Sequence, residues 1–158
     1  MKSDKEPKEL SHTDDSGRAR MVDVGSKPDQ LRIARAEGFV RLKPETVTLI
    51  RQNLMKKGDV LIIAEVAGVQ AAKATPSLIP LCHPIQISQV TVKTTLLEEG
   101  VMAVSEVRCI GQTGVEMEAL TAVSVALLTV YDMCKAVDKT MTIESINLIE
   151  KTKHDLPR

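Results

Sequence analysis

Aromatic side chains are nearly absent from this sequence. Its 158 residues include one Tyr, one Phe and no Trp. This disfavours a protein that binds single-stranded nucleic acid by stacking bases on aromatic rings. Neither sign of charge dominates, because 21 Lys and Arg balance 21 Asp and Glu, which argues against a protein that binds duplexes through their phosphates. We therefore expect no nucleic-acid partner and a core built from aliphatic side chains.

Cysteines are few, and no segment has the features of a membrane span. Cys82, Cys109 and Cys134 are odd in number and lack C-x-x-C spacing, so they predict reduced thiols and neither a disulfide framework nor a zinc site. The N-terminus has no apolar stretch typical of a signal peptide. The longest uncharged helical stretch, residues 119–131, is shorter than the ~20 residues that a span requires. We expect a cytoplasmic protein without a membrane partner.

The chain divides by composition into one domain with two polar ends. Residues 1–20 are rich in charge and poor in large aliphatic side chains, which predicts a mobile segment. Residues 21–151 are expected to form a single α+β catalytic domain, followed by a polar tail at 152–158.

Hydrophobic spacing within the domain predicts a mixture of strands and helices. One hairpin is expected, with its turn at Glu98, Glu99 and Gly100. Thr113 to Glu116 resembles a capping box before a long helix. The predicted strands are 34–42, 85–97, 101–110 and 141–149; the predicted helices start at Pro44 and end at Gly58, cover 60–72 and end at Pro76 and Pro80, and run from the capping box to about Val137. This mixture indicates an α+β fold, an antiparallel sheet covered by helices.

The loop 81–84 is the first candidate site. Leu81, Cys82 and His83 lie between Pro80 and Pro84, where a rigid backbone can present side chains to a ligand. The alternative is a stiff turn with a buried cysteine and a solvated histidine. A metal site is a weaker interpretation, because the other two histidines lie in the polar ends.

Charged residues on the long predicted helix form the second candidate site. Glu116 and Glu118 lie at its start, where carboxylates also suit the helix dipole. Asp132 and Lys135 lie near its end, three residues apart and hence on one face of a largely apolar helix. Charged groups rarely occur on such helices unless they are paired or functional. The alternative is an ion pair where the helix reaches the surface.

Lysines at the borders of apolar segments are the third candidate group. They are Lys57, Lys73, Lys135 and Lys151. Each is most simply a surface lysine, but together they could bind a polyanion through point charges. A phosphate loop of the type G-x-x-x-x-G-K-[ST] is absent, so any phosphate would be held by side chains.

Six short motifs occur along the chain: MVDV at 21–24, KGDV at 57–60, AAK at 71–73, LIPLCHP at 78–84, TGVEMEALTA at 113–122 and YDMCKAV at 131–137. In this order they resemble the cyclic pyranopterin monophosphate synthase family of molybdenum cofactor biosynthesis. The resemblance covers residues 21–151, and the LCHP and TGVEMEALTA strings are its most specific parts.

The resemblance implies a ferredoxin-like α+β fold and a lyase. Its substrate would be 3′,8-cyclo-7,8-dihydroguanosine 5′-triphosphate, which is rearranged to a pyranopterin with a cyclic phosphate while diphosphate leaves. The family forms a hexamer of three dimers, with active sites between the subunits of a dimer. No resident metal or cofactor is implied, although magnesium could accompany the triphosphate.

Site residues are carried over from the family's motifs. Asp132 matches its catalytic aspartate, with Lys135 as the acid–base partner. Asp23 matches an aspartate of unclear role. The residues implied to bind substrate are Leu81, Cys82, His83, Met117, Glu118, Glu116, Lys57, Lys73 and Lys151. A lysine desolvated among apolar residues would have a lowered pKa and could transfer protons.

Two departures and three alternatives remain. Ala74 and Gln112 stand where relatives commonly carry basic residues, which puts details of phosphate binding in doubt. A regulatory domain that binds a nucleotide, a structural subunit of a larger enzyme and a metal-dependent hydrolase are the competing interpretations. Asp132 with Lys135 on an apolar helix favours the enzyme.

Overall fold

The computed structural model describes residues 17–157. The predicted mobile segment, 1–20, lies mostly outside this range. Within it the elements are β1 (Gln30–Arg41), α1 (Pro44–Arg51), α2 (Val60–Leu78), β2 (Ile87–Leu97), β3 (Gly100–Gly111), α3 (Glu116–Cys134) and β4 (Thr142–Asp155).

The four strands form one antiparallel sheet in the order β2-β3-β1-β4. The two central strands are therefore β1 and β3, and β2 and β4 are edges. A succession of β-α-β-β-α-β, with α1 as an extra helix before α2, is the ferredoxin-like arrangement. The predicted α+β class, the antiparallel sheet and the hairpin between β2 and β3 are confirmed.

The core lies between the sheet and the two long helices. Alternate residues of β1, Ala34, Ala36 and Val40, are buried on the face that α3 covers. Gly38 shares this face, and a Cβ there would lie 2.9 Å from Leu127 Cδ1. The buried apolar side chains of the described residues are all aliphatic or sulfur-containing, as the composition predicts.

Helices α2 and α3 pack against each other in opposite directions. Lys57, just before α2, contacts Asp132 near the end of α3, whereas the loop after α2 meets the start of α3 at a cavity. Gly68 permits close packing midway, because a Cβ there would lie 2.9 Å from the Ala122 carbonyl oxygen.

Among the described residues, α3 is the one helix whose length and composition would suffice to cross a membrane. Its apolar side chains are largely buried within the protein: Val123, Leu127 and Val130 are fully enclosed by the sheet and α2. Packing within the domain therefore accounts for the apolar character of α3.

Three predicted helix boundaries were wrong. α1 ends at Arg51 and not at Gly58, and Asn53 shortly after it has a positive φ of 54°, which does not continue a helix. Pro76 does not end α2, which continues to Leu78, just before Pro80; a proline in the last turn removes one hydrogen bond, and Ile79 N–H still bonds to Thr75 O.

The capping box does not form either. The N-cap of α3 is Val115 and not Thr113, and a valine side chain has no group that could accept a hydrogen bond from the first turn. The Glu116 carboxylate pairs with Lys151.

The ends of the last two elements also differ from the prediction. α3 ends at Cys134 and not near Val137, because the N–H groups of Val137 and Asp138 both bond to Cys134 O and turn the chain out of the helix. β4 extends beyond Ile149 to Asp155, since it stays paired with β1 as far as Gln30. Residues 152–155 of the predicted tail thus belong to a strand, whereas the division into domains stays a prediction.

Candidate functional site

One cavity of about 450 Å³ brings together two of the predicted motifs. We call it the His83 cavity. It lies between the loop after α2, the start of α3 and the segment before β1. Six predicted site residues line it: Leu81, Cys82, His83, Glu116, Met117 and Glu118.

Glu118 is the unusual side chain of the His83 cavity. Only 2% of it is exposed, and its Oε1 has no hydrogen-bond partner among the described residues. Burial raises the pKa of its carboxyl, and the neighbouring Glu116 charge adds to the increase. A buried carboxyl with a raised pKa holds its proton at a higher pH than an exposed carboxyl does, as a group that transfers protons requires. Capping alone does not explain this residue.

His83 joins the N-terminal segment to the cavity. Its Nε2 lies 2.8 Å from the Val22 carbonyl oxygen. A carbonyl can only accept, so Nε2 carries a proton and donates it in this hydrogen bond. Asp23, next to Val22, accepts a hydrogen bond from Gly25 N–H at 2.8 Å and so stabilises the turn that follows. The MVDV motif thus forms one wall of the cavity.

A second cavity, of about 400 Å³, adjoins the first. We call it the basic cavity. Four cationic side chains line it, Lys27, Arg32, Lys151 and Lys153, with Glu116 as the one acidic residue. The two cavities share Lys27, Thr113, Gly114 and Glu116. The Glu116 carboxylate forms an ion pair with Lys151, which joins the start of α3 to β4.

Asp132, Lys57 and Lys135 form a separate group, the Asp132 cluster. Asp132 Oδ2 lies 2.6 Å from Lys57 Nζ, and its Oδ1 lies 2.7 Å from Lys135 Nζ. Hydrogen bonds from Lys135 and Lys57 lower the pKa of Asp132 to about 2. All three side chains are about half exposed. The ion pair expected as the alternative interpretation is therefore present, and a second lysine completes it.

The Asp132 cluster does not lie in the His83 cavity. Glu118 and Asp132 are at opposite ends of α3, roughly 20 Å apart along its axis because each residue adds ~1.5 Å. Lys73, on α2, lines a third hollow, which shares Ile85 with the His83 cavity. Within a single chain, the predicted site residues therefore lie in two distant groups.

The expectation of a lowered lysine pKa was wrong for Lys135. Hydrogen bonding to Asp132, together with the Asp132 charge, raises the pKa of Lys135 instead. The side chain is exposed and paired, so it lacks the desolvation that would destabilise its ammonium form.

The cysteines are not activated as nucleophiles. Burial, with a contribution from the Glu118 charge, raises the pKa of the Cys82 thiol, and burial raises that of Cys134 to about 11. Thiols of this kind remain protonated at neutral pH. Cys82 therefore contributes its shape and a weak hydrogen-bonding group to the cavity.

Sequence analysis missed three cations of the basic cavity: Lys27, Arg32 and Lys153. Lys153 was assigned to the tail because the apolar alternation stops at Ile149. The alternation of Lys151, Thr152 and Lys153 was a usable signal, since it continues the strand period. Within residues 17–157, no group of three or more His, Cys, Asp or Glu side chains could hold a metal ion.

Comparison with known proteins identifies the family of the chain. The model of the MoaC family matches residues 21–154. The chain is 55% identical over 146 residues to cyclic pyranopterin monophosphate synthase from Roseiflexus sp., covering 91% of this chain and 92% of that protein. It is 55% identical over 145 residues to the protein of the same name from Thermomicrobium roseum, covering 90% and 87%.

A relative from Drosophila melanogaster has a different length. It is named molybdenum cofactor biosynthesis protein 1 and is 53% identical over 154 residues, which are 95% of this chain and 27% of that protein. The matched region of the family model includes both cavities and the Asp132 cluster. The chain therefore belongs to the MoaC family.

Proposed function

We propose that this chain is a lyase of molybdenum cofactor biosynthesis, a cyclic pyranopterin monophosphate synthase. Its substrate is 3′,8-cyclo-7,8-dihydroguanosine 5′-triphosphate, and its products are cyclic pyranopterin monophosphate and diphosphate. The relatives that carry this name support the proposal. The observation that carries it is the adjacency of a buried proton-holding carboxyl and a cationic cavity, joined at Glu116.

The first part of the reaction requires repeated proton transfers, because a purine-derived ring opens and closes again. Glu118 is suited to this task, since burial keeps its proton at a pH where an exposed carboxyl has lost it. His83 donates its Nε2 proton to Val22 and leaves Nδ1 as a further site that can accept one. Aliphatic walls from Leu81, Ile85 and Met117 enclose the ring without aromatic stacking.

The second part forms a cyclic phosphate and expels diphosphate. The bond between the α and β phosphates breaks, and negative charge accumulates on the departing group. Cations fixed near that group stabilise the transition state. Lys27, Arg32 and Lys151 supply this charge in the basic cavity, next to the ring-binding walls.

A second copy of the chain completes the site in this proposal. The Asp132 cluster is too far along α3 to reach a substrate bound in the His83 cavity of the same chain. A two-fold axis beside α2 and α3 would bring the Asp132 end of one copy to the cavity end of the other. The substrate would then lie between two subunits, and desolvation there would change the environment of Lys135.

Exposed apolar side chains on the helices support this pairing. Ile62 and Val66 are one turn apart on α2, and both are more than half exposed, as is Leu128 on α3. Contiguous apolar surface of this kind is typical of protein–protein interfaces. We further propose, from the family resemblance, that three such dimers form a hexamer.

Localisation and cofactor use belong to the same proposal. We place the enzyme in the cytoplasm, with reduced cysteines, and without a membrane or nucleic-acid partner. It needs no resident metal or cofactor, and any magnesium enters with the substrate triphosphate.

The test is turnover by the purified full chain. Incubated with the cyclic dihydroguanosine triphosphate, it should release diphosphate and the pyranopterin in equal amounts. Asp132→Ala should abolish release, because the carboxylate that holds Lys57 and Lys135 is lost. Arg51→Ala is the matched control, since Arg51 forms only a surface ion pair with Glu98, and it should retain full activity.

Three outcomes would overturn the assignment. Absence of turnover by the wild-type chain excludes the enzyme, and tight binding of the triphosphate without turnover favours the regulatory alternative. Full activity of Asp132→Ala removes the proposed catalytic cluster.

A further inference from the structure

Two like-charged side chains face each other across the strand pair β1–β4. Arg32 is directly opposite Lys153 in the register. Arg32 shares its sheet face with the buried Ala34, because alternate residues of a strand point the same way, and Lys151 lies two residues before Lys153 on the same face. Like charges directly opposite one another destabilise an antiparallel pair. An anion bound between Arg32 and Lys153 would relieve this repulsion.

No carboxylate of the described residues provides this compensation. The Arg32 guanidinium donates to the carbonyl oxygens of Gly111 and Gln112, at 3.3 and 3.2 Å. The Lys153 side chain has no hydrogen bond or ion pair within residues 17–157. Glu116, the acidic residue of the basic cavity, is paired with Lys151. The cavity thus has four positive charges against one negative charge.

A simpler explanation than anion binding exists for a lysine on an edge strand. Its charge can prevent the exposed edge from pairing with the sheet of another molecule. β4 is an edge strand, so this explanation applies to Lys153 in principle. It does not require Lys153 to face an arginine, nor to line a cavity that already contains three cations.

Gln112 is a second position from which a charged side chain could reach the basic cavity. Its side chain is neutral and lines the same cavity as Lys153. Charge at either position would face an anion between them, because both residues belong to one cavity lining.

We propose that Lys153 is a phosphate-binding residue that, with Arg32, holds the diphosphate portion of the substrate. This rests on the proposed function for the identity of the substrate. The ammonium group donates to phosphate oxygens, and the bound anion removes the repulsion between Lys153 and Arg32.

The test measures binding of inorganic diphosphate by titration calorimetry, beside steady-state kinetics. Lys153→Ala should raise the Kd for diphosphate about tenfold and raise KM by a similar factor, with kcat within about twofold. Lys153→Arg should restore both constants, and Gln112→Lys combined with Lys153→Ala should restore part of the loss. Lys93→Ala is the control, because Lys93 is also a strand lysine, on β2, but pairs with Glu65 of α2. It should change neither the Kd for diphosphate nor the KM.

Thermal unfolding provides a further readout. Without anions, Lys153→Ala should melt no lower than the wild type, because it removes a repulsive pair, whereas diphosphate should stabilise the wild type more than the variant. Unchanged Kd and KM in Lys153→Ala, an equal loss in Lys93→Ala, or failure of diphosphate to bind the wild type would each overturn the proposal. If the wild type binds diphosphate but does not turn over the substrate, the proposed function fails and the Lys153 comparison still stands.

Discussion

Two carboxylates on α3 have opposite environments. Burial raises the pKa of Glu118, whereas Lys135 and Lys57 lower that of Asp132 to about 2. Environments that separate the pKa values of two acids commonly assign them different roles. In the proposed function, Glu118 is accordingly the group that would gain and lose a proton. Asp132 remains a carboxylate throughout the working pH range and orients its two lysines.

Glu118→Gln should make the protein more stable and less active. The pKa of Glu118 is higher in the folded than in the unfolded chain, so the wild type loses stability as pH rises above the unfolded pKa, ~4.3. Glutamine cannot ionise, so the variant does not lose this stability. The free energy of unfolding of Glu118→Gln in urea should exceed that of the wild type at pH 7 but not at pH 3. Turnover should fall about 100-fold or more, because the proton-holding group is gone.

Glu98→Gln is the matched control for this prediction, since Glu98 is largely exposed and pairs with Arg51 at the surface. It should change neither property. Wild-type turnover by Glu118→Gln would exclude Glu118 from proton transfer. If Glu118→Gln were less stable than the wild type at pH 7, the claim that burial of the Glu118 charge destabilises the protein would be contradicted.

At the scale of elements, Asp138 joins α1 to the turn after α3. It is fully buried, and its Oδ2 accepts from Lys43 N–H at 2.8 Å and from Thr46 Oγ1 at 3.2 Å. Its Oδ1 accepts from the N–H and hydroxyl of Thr140 at 2.9 and 3.0 Å. α1 has no cap from its own Lys43 side chain, so Asp138 supplies the anion at its N-terminus.

Asp138→Ala should lower the free energy of unfolding by about 3 kcal/mol at pH 7, because buried donors lose their partner. Burial alone would raise the pKa of Asp138, but the hydrogen bonds from Lys43, Thr140 and Thr46 outweigh it and lower the pKa. The stabilisation is thus present above about pH 4 and is lost as pH falls. Urea unfolding at pH 7 and pH 3 checks this, since the difference from wild type should shrink in acid.

Asp59→Ala provides the comparison. Asp59 caps α2 through one hydrogen bond from Ile62 N–H at 3.0 Å, and its loss should cost only about 1 kcal/mol. Equal effects of the two substitutions would show that Asp138 acts as an ordinary helix cap.

The elements were predictable where one local signal decides the structure. The β2–β3 hairpin follows from alternation on both sides of a glycine turn, and Gly100 adopts the positive φ of 155° expected there. Boundaries that depend on tertiary partners were not predictable. β4 continues through polar residues because β1 pairs with it. The N-cap of α3 lies two residues after the predicted cap Thr113, and the first residue of α3, Glu116, pairs with Lys151 across the fold.

At the scale of the whole molecule, α2 and α3 separate the site into two groups. The motifs predict which residues are candidates, because each motif carries chemically specific side chains, and six of these candidates line the His83 cavity. Their grouping could not be predicted, since it depends on which end of α3 each residue occupies and on how copies assemble. Local sequence contains neither the basic cavity nor the distance between Glu118 and Asp132.

A site shared between copies predicts complementation of two inactive variants. Asp132→Ala and Glu118→Gln chains, co-expressed in equal amounts, should form mixed dimers in half of the cases. Each mixed dimer has one site with both native residues, so activity should recover to about a quarter of the wild-type value. Turnover of the co-purified mixture, beside each variant alone, measures this.

Chains carrying both substitutions are the control for complementation, because their mixtures with either single variant cannot form a native site. Failure of the single variants to recover activity when co-expressed, with mixed dimers verified by two affinity tags, would show that Asp132 of one copy does not serve the His83 cavity of another.

Helix α3 also sets the spacing between two candidate site residues. It carries Glu118 near one end and Asp132 near the other, so its length and phase determine where these two carboxylates lie relative to each other and, in the proposed dimer, where each copy would present its half of the site. Inserting one residue between them would advance Asp132 by ~1.5 Å and rotate it by about 100° around the axis. The buried aliphatic residues between the two carboxylates therefore carry a geometric constraint on their number as well as a requirement for packing.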